Sequence, residues 1–328
     1  MTTTMPKTVD TDRDFLALAD PYRRELTAHC YRMLGSIHDA EDLVQETYLR
    51  AWRSYGDFEG RSSLRTWLYR IATNVCLTAI DQRGHRPMPS GLGAPSEEPE
   101  RPVVASGEVP WLEPAPDPVL GADAADPATI VTARESTRLA FVAALQHLPA
   151  KQRVVLILRD VLKWRAAEVA ELLDTSTAAV NSALQRARAQ LEEHTPLRDE
   201  LVEPTDPAQR DLLERYAKAF EDADIGGLIE LFKKDVVWEM PPFPEWFVGA
   251  DHAVRLITAQ CRPAPGDLRM VPAAANGQPA FGLYRRGDDG VHSAYHLQVL
   301  SITDEGVAHV SVFFDTSLFP LFGLPDRL

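Results

Sequence analysis

The sequence predicts a multidomain chain: two all-α helical domains followed by an α+β domain. Three observations predict it. Helical apolar periods fill residues 15–83 and 133–195. Between them, residues 84–132 hold 10 of the chain's 25 prolines and almost no periodicity. After residue 205, two helical stretches give way to β-rich runs. The predicted boundaries are 1–83, 84–132, 133–195 and 196–328.

The elements follow in order. "DFLALADPYRRELTAHCYRML" has a helical period and ends at Gly35. "DAEDLVQETYLRAW" is the next helix, with Ser36 and Asp39 as candidate caps. "YGDFEGRSS" is turn-rich. In "SLRTWLYRIATNVCLTAIDQR", Leu64, Trp67, Leu68, Ile71, Val75 and Ala79 recur at helical spacing. The acidic, proline-rich stretch 84–132 reads as an extended or disordered linker, interrupted by "VPWLEPAPDP", whose tryptophan suggests a docking point. Four helices follow, with breaks at Pro149 and at Asp174–Ser176. The last third opens with "DPAQRDLLERYAKAFEDADIGGLIELF" as two helices. "DVVWEM", the helix "ADHAVRLITAQC" and four antiparallel strand-like runs complete it.

Composition bounds the function. Hydrophobic residues make up 45% and charged residues 25%, as in ordinary globular protein. No run of 18 apolar residues suggests a membrane helix, and "MTTTMPKTVDTDRD" lacks the apolar core of a secretory signal. Cys30, Cys76 and Cys261 follow no metal spacing and read as thiols in a reducing cytoplasm. No metal or cofactor is expected. The net charge of −14 argues against nucleic acid until its distribution is considered. Residues 133–195 carry 9 basic and 7 acidic groups; residues 196–328 carry 12 and 21.

Two helices carry faces that ask for partners. On the second helix, Asp42, Gln45, Glu46 and Arg53 surround Leu49. A leucine set among charges suggests a docking surface. "AAEVAELLDTSTAAVNSALQRARAQL" has the form of a helix-turn-helix. Val180, Leu184, Ala187 and Leu191 would pack inward. Thr177, Ala178, Asn181, Ser182, Gln185, Arg186 and Arg188 would face a partner, with amides for base edges and arginines for phosphate or guanine. An ordinary helical hairpin with a solvated face is the alternative.

"DAEDLVQETYLRAW" with "FEGRSSLRTWLYRIATNVCLTAIDQR" resembles region two of the sigma-70 family. "ALQHLPAKQRVVLILRDVLKWRAAEVAELLDTSTAAVNSALQRARAQL" resembles its region four. With these two regions alone, the chain resembles an extracytoplasmic-function sigma factor. "WFVGADHAVRLI", "NGQPAFGLYRRG" and "VSVFFDTSLFPLFGLP" resemble the SnoaL-like domains fused to some such factors, which fold as a cone of curved sheet closed by helices.

The resemblance implies a transcription initiation factor whose partners are core RNA polymerase and promoter DNA. Asp42, Gln45, Glu46 and Leu49 match the face that docks on the largest catalytic subunit. Arg61, Ser62, Ser63, Arg65, Arg70 and Asn74 match the −10 reader, where a flipped base is captured. Thr177, Ala178, Asn181, Ser182, Gln185, Arg186 and Arg188 match the −35 reader. Asn276, Gly277, Gln278 and Pro279 match a recurrent loop of the fused domains, to which regulation is assigned.

In the last third, no catalytic constellation stands out. Asp251 reads as a helix N-cap. His292 and His296 are expected on one strand face, and His252, Tyr216 and Tyr295 are further candidates. Trp238, Met240, Trp246 and Phe281 read as pocket or core. A small-molecule ligand is a candidate partner for that pocket. Two rival readings are an isomerase or cyclase fused to DNA-binding helices, and a dimeric DNA-binding regulator. Neither has a use for the face around Leu49.

Overall fold

The computed structural model describes residues 15–120, 136–193, 207–261 and 263–328. They fall into two compact units. One joins Met1–His85 to Pro118–Thr195; the other joins Arg86–Asp117 to Pro196–Leu328. The first unit therefore holds both predicted helical domains.

In the first unit the opening helical run breaks at Pro21, where Asp20–Tyr22 form a 3-10 turn. Helix α1 (Arg23–Leu34) ends on Gly35. Gly35 has φ +71°, and a Cβ there would come within 3.1 Å of the Gln146 side chain. Helix α2 (Ile37–Ser54) is capped by Ser36, which accepts from Asp39 N at 3.1 Å. Asp39 is therefore not the cap; its carboxylate meets Arg83 at 2.6 Å. Helix α3 (Leu64–Arg83) is capped by Ser63. Leu26, Tyr31, Met33, Ile37, Leu68 and Tyr69 fill the core between these helices. Cys30 and Cys76, far apart in sequence, meet there as free buried thiols.

Helices α4 (Leu139–Gln146), α5 (Ala150–Leu156), α6 (Ala166–Leu172) and α7 (Thr177–Glu193) complete the unit. A π turn, Ile157–Val161, extends α5. Asp174, at φ +50°, makes the turn between α6 and α7. Val180, Leu184, Ala187 and Leu191 are buried, as their period predicts.

Arg153 joins the two halves of this unit. It is 1% exposed. Its guanidinium donates to Gln146 Oε1 at 2.7 Å, to the carbonyls of Gln146 and Leu148, and to the Met33 carbonyl on α1. Arg32 reciprocates, donating to the Ser136 carbonyl at 3.1 Å. Burial pulls both guanidinium groups down to about 10.

The second unit is α+β. Helices α8 (Pro207–Glu221) and α9 (Ile225–Leu231) precede strands β1 (Phe232–Glu239) and β2 (Trp246–Val248). Helix α10 (Ala250–Gln260) leads to β3 (Leu268–Ala275), β4 (Gln278–Arg286), β5 (His292–Thr303) and β6 (Gly306–Phe313). The sheet order is β2-β1-β6-β5-β4-β3. Strands β3 to β6 are antiparallel as expected, but β1 pairs with β6 in parallel. Tyr216, Phe220, Trp238, Phe281 and Ile257 lie in the core between helices and sheet.

The stretch expected as an extended or disordered linker is, over its described part, a strap bound to this second unit. Ser90 N donates to Glu239 at 3.1 Å, and Trp246 Nε1 donates to the Gly93 carbonyl at 3.0 Å. Arg255 holds Glu100 at 2.6 Å, and Gln260 donates to the Arg101 carbonyl. Ser106 N reaches the Pro242 carbonyl at 2.8 Å. Low periodicity and many prolines removed helix and strand, but backbone groups still found partners on a preformed surface. Residues 121–132 lie outside the described residues.

Candidate functional site

On α2, Asp42 and Gln45 are exposed, and Leu49 is 48% exposed between them and Trp52. Glu46 is half-exposed and paired with Arg50 at 2.7 Å, one turn on. Buried Ala40, Val44, Thr47 and Ala51 fix which way this face points.

The loop before α3 divides the proposed −10 residues. Arg61 is exposed and paired with Glu59. Ser62 is half-buried, and Ser63 is committed to capping by accepting from Thr66 N at 3.1 Å. Arg65 was expected as a donor to DNA. It forms a fork with both oxygens of Glu25 at 2.8 to 2.9 Å and lies over the rings of Tyr69 and Trp164. That hydrogen-bonded pair holds the guanidinium firmly protonated. Arg70 donates to the Glu171 carbonyl at 3.0 Å, whereas Asn74 is exposed. Trp67 is half-buried against Phe58, with ring centroids 4.8 Å apart.

Thr177, Ala178, Asn181, Ser182, Gln185, Arg186 and Arg188 are all exposed along α7. One of them is engaged: Arg188 forks onto Asp160 at 2.7 and 2.8 Å. Asp160 sits on the π turn after α5, so no period within α7 could disclose the pair.

In the second unit, β4 and β5 slip register between Leu283 and Tyr284. His296 pairs with Leu283, and Ala294 with Tyr284, so Tyr295 is the extra residue of a bulge. His292 pairs with Arg286. The bulge therefore puts His292 and His296 on opposite faces, against the expectation from alternation. His296 is buried beside Gln298, whose Nε2 lies 3.0 Å from His296 Nε2. Gln298 Oε1 accepts from Tyr216 at 2.8 Å. Burial pushes His296 down to about 3, so the imidazole is neutral.

Further expectations are corrected. Asp251 does not cap α10; Gly249 holds that position, and Asp251 pairs with Arg255 at 3.3 Å. His252 Nδ1 donates to the Val248 carbonyl, 2.8 Å away. Trp246 is half-buried and serves the strap. Trp238, Met240 and Phe281 are buried, and the first two line a cavity of about 210 Å³.

The "WLEP" patch and the Asn276–Pro279 loop, singled out separately, meet. Ala115 N donates to Asn276 Oδ1 at 2.8 Å, and Asn276 N to the Ala115 carbonyl at 2.9 Å. Gly277 N donates to Asp117 at 2.6 Å. Gln278 ties the loop to Leu300 and Ser301 on β5. Trp111 itself is half-buried, its Nε1 donating to the Ser106 carbonyl.

Sequence reasoning missed Glu239. It is 2% exposed and holds His309 at 2.7 Å, Ser311, and the strap through Ser90 N. Burial alone would raise its pKa, but His309 and the Ser90 N–H outweigh burial and hold the carboxylate low.

Residues 18–86 match the family description "Sigma-70 region 2", and residues 138–191 match "Sigma-70, region 4". The ECF RNA polymerase sigma factor SigG of Mycobacterium tuberculosis (strain H37Rv) is 58% identical over 318 residues, covering 96% of this chain and 85% of that protein. The chain belongs to the ECF RNA polymerase sigma factors. SigJ of the same organism is 31% identical over 278 residues, covering 82% of this chain and 80% of SigJ. The crystal structure of M. tuberculosis SigJ superimposes with a TM-score of 0.62 at 25% identity, covering 94% of this chain and 100% of that one. This sigma factor thus carries two all-α sigma regions and a C-terminal α+β domain. The family directs promoter-specific initiation and is not enzymatic. Among the described residues, no helix is long and apolar enough to cross a membrane.

Proposed function

We propose that the α2 face of Asp42, Gln45, Glu46 and Leu49 docks this sigma factor on core RNA polymerase in the cytoplasm. The loop and helix bearing Arg61, Ser62, Ser63, Arg70 and Asn74 read the −10 element. Arg65 joins them only by giving up Glu25. The α7 face reads the −35 element as duplex, through Thr177, Ala178, Asn181, Ser182, Gln185 and Arg186. The SnoaL-like domain regulates these steps through the strap and the Asn276–Pro279 loop, without catalysing a reaction.

One observation carries the reading. Leu49 is left 48% exposed among charges, on a helix whose other face is fully packed. Apolar burial at a charge-rimmed centre is how an interface of this type gains affinity. Reversing Asp42 and Glu46 to arginine should lower core affinity by about 2–5 kcal/mol. The helix should stay folded, because surface changes usually shift stability within about 0.5 kcal/mol. Core binding, run-off transcription and thermal melting of the double variant test it. Unchanged core affinity would remove the assignment.

A further inference from the structure

Two residues of region four lie against the helix to which −10 reading is assigned above. Lys163, at φ +58°, turns the chain between the π turn and α6. Arg159 fixes the turn by donating to the Trp164 carbonyl, and Trp164 N donates to the Leu158 carbonyl at 2.9 Å. The Trp164 indole is thereby set against Tyr69 of α3, with ring centroids 5.2 Å apart. The Arg65 guanidinium carbon lies 5.8 Å from the indole centroid and 5.1 Å from that of Tyr69. Tyr69 is 0% exposed and Trp164 6%, although they belong to different sigma regions. On α6, Glu171 engages Arg70. Its carbonyl accepts from Arg70 Nη2 at 3.0 Å, and its carboxylate lies 3.7 Å from the same atom.

These contacts have the chemistry of a nucleotide. A flat ring held against a tyrosine and an arginine is how an unpaired base is bound. An arginine that takes an anionic oxygen is how a phosphate is bound. Asn74, one turn beyond Arg70, stays exposed, so the cover ends short of it. The cover is also weakly held. Trp164 Nε1 is buried without a partner among the described residues, a cost that exposure to water removes. The Glu171 side chain is largely exposed, so its ion pair with Arg70 adds little.

We propose that region four masks the −10 reader of the free factor. Trp164 and Glu171 stand in for a base and a phosphate beside Tyr69, Arg65 and Arg70, and single-stranded promoter DNA must displace them. The inference rests on the −10 assignment proposed above and goes beyond it in naming the competitor.

The test uses the full chain without polymerase and a fluorescein-labelled single strand of twelve nucleotides, random in sequence, followed by anisotropy at low salt. Random sequence suffices because stacking and phosphate contacts tolerate any base. Trp164→Leu keeps an apolar side chain but removes the indole. It should tighten binding at least threefold, as should Glu171→Ala, which serves if the leucine variant does not fold. Glu214→Ala, an equal charge change at an exposed site on α8, sets the gain that charge alone gives. Arg70→Ala should alter the parent's affinity less than twofold, because Arg70 is already engaged. In the Trp164→Leu/Glu171→Ala background it should weaken binding at least fivefold. Hydrogen exchange over residues 164–173 of the parent should rise as the strand saturates. Variants that bind no more tightly than Glu214→Ala, while Arg70→Ala weakens the folded parent, would overturn the mask and leave the −10 assignment standing. Arg70→Ala without effect in every background would remove that assignment and the mask with it. Unchanged exchange over residues 164–173 at saturation would also overturn the mask.

Discussion

Gln185 and Arg188 stand less than one turn apart on α7, yet their surroundings give them different work. Gln185 is exposed with both amide functions available for a base edge. Arg188 is held by Asp160, so at most it presents an edge of its fork to a phosphate. Gln185→Ala should change the −35 base preference, since a good bidentate contact gives about 1–3 kcal/mol of discrimination. Arg188→Ala should weaken binding evenly across sequences, because phosphate contacts carry no base information. Selection from a randomised −35 library separates the two. Histidines make a second prediction at this scale. Burial, with Arg32 adding to it, pulls His29 down to about 3, and burial does the same to His296. In the unfolded chain each takes a proton near 6.5, which the folded protein refuses. Stability is therefore full above pH 6.5 and falls as pH drops toward 3, by up to about 1.4 kcal/mol per pH unit for each histidine. Urea midpoints between pH 7 and 5 should fall less steeply in His29→Gln or His296→Gln than in the parent.

Among the elements, α1, α4 and α5 depend on one guanidinium. Arg153→Met would strand the carbonyls of Met33, Gln146 and Leu148 in a buried site. Unsatisfied buried acceptors cost about 1–3 kcal/mol each, so a loss of about 3 kcal/mol or more is expected. Lysine should rescue little, since a point charge cannot reproduce the fork. Chemical denaturation followed by the signal of the first unit checks both variants. The helices of this unit were legible because each buries one stripe, and period alone reveals a stripe. The inward set of α7, from Val180 to Leu191, came directly from spacing. Arg153 was not legible: a charged residue near a helix start reads as solvent-facing until its acceptors, 120 residues away at Met33, are in place. The bulge at Tyr295 escaped for a similar reason. An extra residue shows only against the partner strand, so alternation misassigned the faces of His292 and His296.

At the scale of the whole chain, the strap limits how far the two sigma regions can part once the Arg153 and Arg32 contacts between them open. Fully extended at about 3.3 Å per residue, Arg86–Asp117 would span roughly 100 Å. Bound along the α+β domain by Ser90, Gly93, Glu100, Arg101, Ser106 and Ala115, it cannot use that reach. Gly93, Arg101 and Ser106 are each held by a single hydrogen bond and Glu100 by an exposed ion pair, worth about 1 kcal/mol or less apiece, while Ala115 exchanges two hydrogen bonds with Asn276 and Ser90 donates to a buried carboxylate. Together they hold, and one by one they can be released. Removing residues 196–328 takes away every one of these partners. In the fragment 1–195, residues 86–117 should become open to proteolysis and exchange freely, which the intact chain should resist. The same fragment, reconstituted with core polymerase, should tolerate a wider range of spacings between −10 and −35 elements than the full chain. Run-off transcription on promoters with graded spacers measures that tolerance. Equal spacer profiles, with equal protection of the strap, would mean that the bound segment places no limit on how the readers engage DNA.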